Sequence, residues 1–234
     1  ILRCLVGSEM CIRDRIYARV DSLLIAHKGK LLFESYYLRG RRNMAHPQAS
    51  ATKAYTGLAL GRAIQMGYLT MDDLQRPVIS FLNDLDKTKL VKGAELVTLH
   101  HALTMTSGLR IPEGIMDELE KNPAPLQDQG LVQAYFEHSA AVTPESQTFL
   151  YQGSDPSMVM QVLEAVVPGS AKEFIEQELL AKLNITTFDW KNDVSGLPSA
   201  GSGSDMTSRN MLKWGMLVKN KGKWQGEQLV PEAY

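Results

Sequence analysis

Between Ser50 and Leu69 the chain carries only two charges, Lys53 and Arg62, in a run of Ala, Gly, Leu, Ile, Met, Tyr, Thr and Gln. That composition predicts a helix buried on most sides and ending near Gly67. Residues three or four apart share a helix face, so Ser50, Lys53, Gly57, Leu60, Gly61 and Ile64 form one stripe. A lysine on the first turn of such a stripe costs desolvation unless it is paired or neutral. Ser50, one turn earlier, gives that cost a use. A serine hydroxyl becomes a nucleophile when a neighbouring base takes its proton, and a desolvated lysine can be that base. The string Ser50-Ala51-Thr52-Lys53 also fits an N-cap serine followed by a solvated lysine, and alone it does not separate the two.

The 234 residues carry a formal net charge of −1, enough chain for one large domain or two small ones. No basic excess points to nucleic acid, and no apolar run is long enough to span a bilayer. The run from Cys4 to Arg15 resembles the conceptual translation of a sequencing adapter, so residues 1–15 are set apart as non-native, leaving 16–234 as the domain. Both cysteines, Cys4 and Cys11, fall inside it. A disulfide, a thiol nucleophile and a cysteine metal site are therefore not expected. The compartment stays open between bacterial cytoplasm and periplasm.

Residues 23–27 and 31–36 are strand-like runs separated by Lys28-Gly29-Lys30, which predicts a hairpin over 22–36. After the Ser50 helix, a short helix with a Pro-marked connection is expected over 72–85. A further helix is expected over 98–105 with Thr98 as cap. Residues 110–127 read as a Pro- and acid-rich loop. Helices are predicted at 129–138, 156–166, 170–183 and 206–219, the last capped by Asp205 or Thr207. Ser195 to Ser204 reads as a Gly/Ser/Pro loop. A hairpin followed by many helices is an α+β pattern, and one hairpin is too little sheet to stand alone. Further strands are therefore expected after Tyr234.

Other chemistries are poorly supported. No serine has glycine at both positions of a Gly-x-Ser-x-Gly elbow. The five histidines contain no His-Glu-x-x-His. His100 and His101 are adjacent and point about a third of a turn apart on a helix, which reads as packing or solvent exposure. Gly201-Ser202-Gly203-Ser204 lacks the Lys-Ser/Thr of a phosphate loop and reads as a turn.

Several segments, in order, resemble the serine β-lactamase, penicillin-binding-protein and esterase superfamily in its class C-like branch. The hairpin Ser22–Glu34 is similar to its opening strands, and Ser50-Ala51-Thr52-Lys53 fits its nucleophile motif. Leu99–Leu109 resembles its most recognisable non-catalytic stretch. Tyr151, after Phe149-Leu150, falls at the tyrosine motif, and Gly201 through Trp224 resembles the glycine-rich turn, helix and hairpin-like tail. Without the resemblance, Tyr151 reads as a half-buried aromatic before a loop.

The resemblance implies an antiparallel sheet flanked by helices, with a helical subdomain over about 70–200 inserted between early and late strands. It implies hydrolysis of a small-molecule ester or amide through an acyl-Ser50 intermediate. Ser50 N–H would be one oxyanion donor, with Lys53 and Tyr151 as acid and base and no metal or organic cofactor. Close approach of Lys53 and Tyr151 should lower the proton affinity of both. The family's asparagine two places after the tyrosine is Gly153 here. A substrate contact at Gly153 thus lacks a side chain, and Ser154 or Asp155 is the stand-in expected. That departure points away from true β-lactamase chemistry toward another esterase or amidase. A third motif, Lys-Thr-Gly or His-x-Gly, is expected beyond Tyr234, so the chain reads as truncated at both ends, and the fragment as inactive alone. The other reading is a non-catalytic or slowly deacylating penicillin-recognising sensor on the same fold.

Overall fold

The computed structural model of the protein describes residues 20–234, so the adapter-like segment 1–15 lies outside the described residues. Strands β1 (Ser22–His27) and β2 (Lys30–Tyr36) form the expected antiparallel hairpin. Its two-residue turn, Lys28-Gly29, has positive φ at both positions (48° and 77°), the geometry whose twist matches that of paired strands. The hairpin rests on a late helix: Ser22 Oγ lies 2.7 Å from Ser208 Oγ, and Arg209 Nε donates to Glu34 at 2.7 Å.

A second sheet was not expected from sequence. Strands β3 (Ala45–Pro47), β4 (Phe188–Trp190) and β5 (Ser204–Thr207) form a three-stranded antiparallel sheet in the order β3-β5-β4. His46 pairs with Met206, which pairs with Phe188 on its other side. A small hairpin of β6 (Lys223–Trp224) and β7 (Glu227–Gln228) matches the expected hairpin-like tail. The helices are α1 (Thr52–Gln65), α2 (Leu99–Leu103), α3 (Ile115–Leu119), α4 (Gly130–His138), α5 (Ser154–Val166), α6 (Ala171–Ile175) and α7 (Ser208–Lys219).

Several predicted boundaries move, each for a local reason. The 72–85 segment forms two 3₁₀ turns, Asp72–Gln75 and Val78–Ser80, because Pro77 between them cannot continue a helix. The loop predicted over 110–127 contains α3 and a 3₁₀ turn at Ala124–Leu126. The helix predicted over 170–183 passes from α6 into a π-helical turn at Glu176–Leu180. Helix α7 starts two residues late because Ser204–Thr207 is committed to β5, and the Thr207 side chain then accepts from Asn210 N–H as the cap. Thr98 caps α2 as expected, and the His101 ring closes a capping box with it.

Helices α1 and α5 cross at the centre of the core. Ala59, Leu60 and Ala63 of α1 and Met158, Val162 and Leu163 of α5 are fully or almost fully buried, with Leu99 of α2 and Phe136 of α4 beside them. The glycine stripe of α1 is also covered. Val230 and Tyr234 lie on Gly61, where a Cβ would come within 2.7 Å of each, and the Tyr234 hydroxyl donates to Gly57 O at 2.9 Å. Two glycines one turn apart thus let an aromatic ring approach the helix backbone.

Candidate active site

Pairing of β3 with β5 fixes how the chain enters α1. Immediately after β3, Gln48 N–H donates to Ser204 O at 2.8 Å. The Gln48 side chain is buried, donating to His46 O at 2.7 Å and accepting from the Tyr55 hydroxyl at 2.9 Å. Tyr55 in turn stacks on Trp214 of α7 with centroids 4.7 Å apart. Between this anchor and the helix lies Ala49 at φ 44°, a left-handed conformation uncommon for a residue with a side chain. Ser50 therefore sits in a 3₁₀ turn, Ala49–Ala51, rather than in the first α-helical turn, and its side chain faces solvent. The opening of α1 is less buried than the low charge of the segment predicts: Ala54 is exposed and Lys53 half-buried.

Lys53 is one turn further on and reaches back. Its Nζ donates to Ser50 Oγ at 3.2 Å and to Gly201 O at 2.7 Å. Both acceptors are held from behind. Thr52 Oγ1 and Ser204 Oγ lie 2.7 Å apart in the interior, and Thr56 Oγ1 donates to Ala200 O at 3.0 Å. The Gly/Ser turn, expected to be structural, is thus tied to α1 by two buried hydroxyl contacts and presents a carbonyl to the lysine. A Cβ on Gly201 would meet Lys53 Nζ at 3.4 Å, an ordinary contact distance.

Tyr151 completes the group. Lys53 Nζ lies 5.0 Å from the centroid of its ring, within cation–π range. The phenol is held below the ordinary tyrosine value, first by the Ser50 hydroxyl beside it and then by Lys53, with desolvation opposing both. Although Tyr151 is 59% exposed, its flanks are pinned. Leu150 N–H donates to Met105 O at 2.9 Å. On the other side, Gln152 Nε2 donates to Asp155 at 2.7 Å and to Ser107 Oγ at 3.1 Å. Ser50, Lys53 and Tyr151, singled out from sequence, come together.

Asp155 does not face the substrate side, contrary to its suggested role as a stand-in contact. It is 0% exposed and accepts from Ser107 Oγ at 2.8 Å, from Gln152, and from Ser154 Oγ at 3.2 Å. Burial raises its carboxyl above the ordinary aspartate value, and these three donors pull it back down. Ser107, Gln152 and the Gly201 carbonyl were missed as contributors, and Asp155 was given the wrong role. The available signal was a carboxylate at the start of a mostly apolar helix, which reads equally well as a first-turn aspartate.

Gly153 lies beside an open cleft of about 680 Å³ that also borders Gln152 and Gly201. Nothing lies within 4 Å of where its Cβ would be, and its φ of −86° suits any residue. Among the described residues no group of three or more His, Cys, Asp or Glu is gathered to hold a metal ion, and no helix is long and apolar enough to cross a membrane.

Comparison with known proteins places this geometry in context. The family model described as Beta-lactamase matches residues 12–230. An uncharacterized protein of Alkalihalophilus pseudofirmus is 22% identical over 240 residues, which cover 90% of this chain and 61% of that protein. A Bacillus anthracis structure provisionally named a 6-aminohexanoate-dimer hydrolase superposes with TM-score 0.73 at 18% identity, over 96% of this chain and 60% of that one. EstCE1, described as a hydrolase with promiscuous acyltransferase activity, gives TM-score 0.73 at 17% identity, over 99% of this chain and 74% of its own. The chain therefore spans about three-fifths of the length of the first two.

Proposed function

This chain belongs to the β-lactamase family, and on that premise we propose that it supplies the nucleophile and the acid–base pair of a serine acyl hydrolase. The observation that carries the reading is the position of Lys53, whose Nζ is shared between Ser50 Oγ and Gly201 O beneath the ring of Tyr151. A lysine used only for solubility would extend into water. Here the cation is spent on holding a hydroxyl and lowering the proton affinity of a phenol.

The chemistry follows from those charges. With the Lys53 ammonium beside it, Tyr151 reaches its phenolate form more readily and takes the Ser50 proton. Ser50 Oγ attacks the ester or amide carbonyl, and the negative charge develops at the mouth of α1, where free N–H groups and the helix dipole favour it. Ser50 N–H is one donor to that oxygen. Tyr151 then returns its proton to the leaving oxygen or nitrogen as the C–O or C–N bond breaks, leaving acyl-Ser50. A water, deprotonated by the same phenolate, then attacks the acyl carbon; as the bond to Ser50 Oγ breaks, Tyr151 returns that proton to Oγ and the acid leaves. The bare Gly153 side of the cleft supports an ester or an amide other than a β-lactam.

The test is steady-state turnover of p-nitrophenyl butyrate by the full-length gene product and by its Ser50→Ala and Lys53→Ala variants. Each substitution is expected to lower kcat/KM by at least about 10³-fold, since members of such a unit fail together. Turnover retained in Ser50→Ala would overturn the reading. An acyl-enzyme that forms but does not turn over would point instead to the slowly deacylating sensor.

A further inference from the structure

The cleft beside Gly153 has a chemical bias that the acyl-transfer machinery does not require. Its lining carries four carboxylates, Glu113, Asp117, Glu120 and Asp193, and no lysine, arginine or histidine. Asp117 lies on α3 and Glu120, three residues on, caps its C-terminal end in helical conformation, so the two share a side, while Asp193 comes from the loop after β4. Among the described residues none of the four is ion-paired, although Glu118, next to Asp117 but off the cleft, pairs with Lys121. The floor is aromatic: Tyr135 of α4 lines it and is only 8% exposed.

Tyr135 also reports the field. Its phenol is pushed up to about 12, first by burial, with Ser157 relieving it and Asp193, Glu120 and Asp155 adding to the rise. Carboxylates on the wall, with no cationic side chain among them, suit a protonated amine through charge attraction. A metal ion suits the cleft less well, since no three of its carboxylates gather as ligands. The cleft lies next to the reacting centre: its lining includes Gln152 and Gly153, which follow Tyr151 directly, and Gly201, whose carbonyl holds Lys53.

We propose that this cleft selects esters or amides that carry a protonated amine, the ammonium lying against the carboxylates of Asp117 and Glu120. The proposal rests on Ser50 as the nucleophile, which places the cleft on the path of the substrate. The field of the carboxylates is partly screened, so the expected discrimination is modest, about five- to tenfold.

The experiment separates the cleft from the catalysis. Binding of hexylammonium, hexanol and hexanoate is followed by NMR titration of the full chain, with no acylation needed. Hexylammonium is expected to bind about fivefold or more tightly than hexanol, and hexanoate more weakly than either. Asp117→Asn combined with Glu120→Gln is expected to erase the cation's advantage, and Glu118→Gln to keep it. Equal binding of the three probes, or an advantage that survives the double substitution, overturns the proposal. Failure of p-nitrophenyl butyrate to acylate Ser50 would instead count against the hydrolase reading, and would leave the titration to decide the cleft's preference.

Discussion

Ser107 Oγ donates to the buried carboxylate of Asp155 across 2.8 Å, joining the loop after α2 to the first turn of α5 and fixing the segment that carries Tyr151. The Asp155 carboxyl is raised chiefly by burial, so the fold binds its proton more tightly than the unfolded chain does. That contribution to stability is fully present below the unfolded value and is lost as pH rises through the folded one. Asp155→Asn should therefore gain on the wild type between pH 4 and pH 7 in urea titrations. Ser107→Ala at pH 7 should cost about 1–3 kcal/mol, because the carboxylate loses a donor it cannot replace. A stability difference between wild type and Asp155→Asn that is flat with pH would contradict this account of the network.

Tyr151 should set the alkaline behaviour of the site. Its phenol is lowered from the ordinary 10.0 by Ser50 and Lys53, so the phenolate fraction, and with it Ser50 acylation, should rise with pH through a midpoint below that value. Tyr151→Phe should slow acylation by about 10²- to 10⁴-fold and remove that limb of the profile. Stopped-flow acylation by an activated ester between pH 6 and pH 10 would show it. An unchanged limb in Tyr151→Phe would assign the base elsewhere.

Gly61 offers a test of packing remote from the chemistry. Its missing Cβ admits Tyr234 and Val230 against α1. Gly61→Ala should destabilise by about 1–3 kcal/mol through overpacking, despite alanine's better helix propensity. Adding Tyr234→Ala should recover part of the loss. A thermal midpoint raised by Gly61→Ala alone would show that the contact is not tight.

What the sequence made legible follows from range. The hairpin and α1 announce themselves through local signals: strand-like runs around Lys28-Gly29, and a long run almost free of charge. Strands β3, β4 and β5 have three or four residues each, one of them Pro47, and pair residues as far apart in sequence as Ala45 and Thr207. No local period marks such strands. Ser50 and Lys53 are only three residues apart and were readable as a pair. The Gly201 carbonyl and the Asp155 network were not, because backbone groups leave no residue signature and a buried carboxylate looks like an ordinary first-turn aspartate.

Gly153 tests how much of the substrate side one residue governs. Gly153→Asn should change stability by no more than about 0.5 kcal/mol, since its Cβ would meet open space at an ordinary φ. Its effect should fall on preference between ester and amide substrates, read as a ratio of kcat/KM values. A large loss of stability would show that the position is not open.

The most direct measurement is the site of covalent attachment. Wild-type protein treated with a fluorophosphonate probe, digested and sequenced by mass spectrometry, should carry one adduct, on Ser50. The adduct should be absent from Ser50→Ala and form much more slowly in Lys53→Ala. An adduct on another residue, or labelling that persists in Ser50→Ala, would contradict the assignment of Ser50 and Lys53 as nucleophile and activating partner.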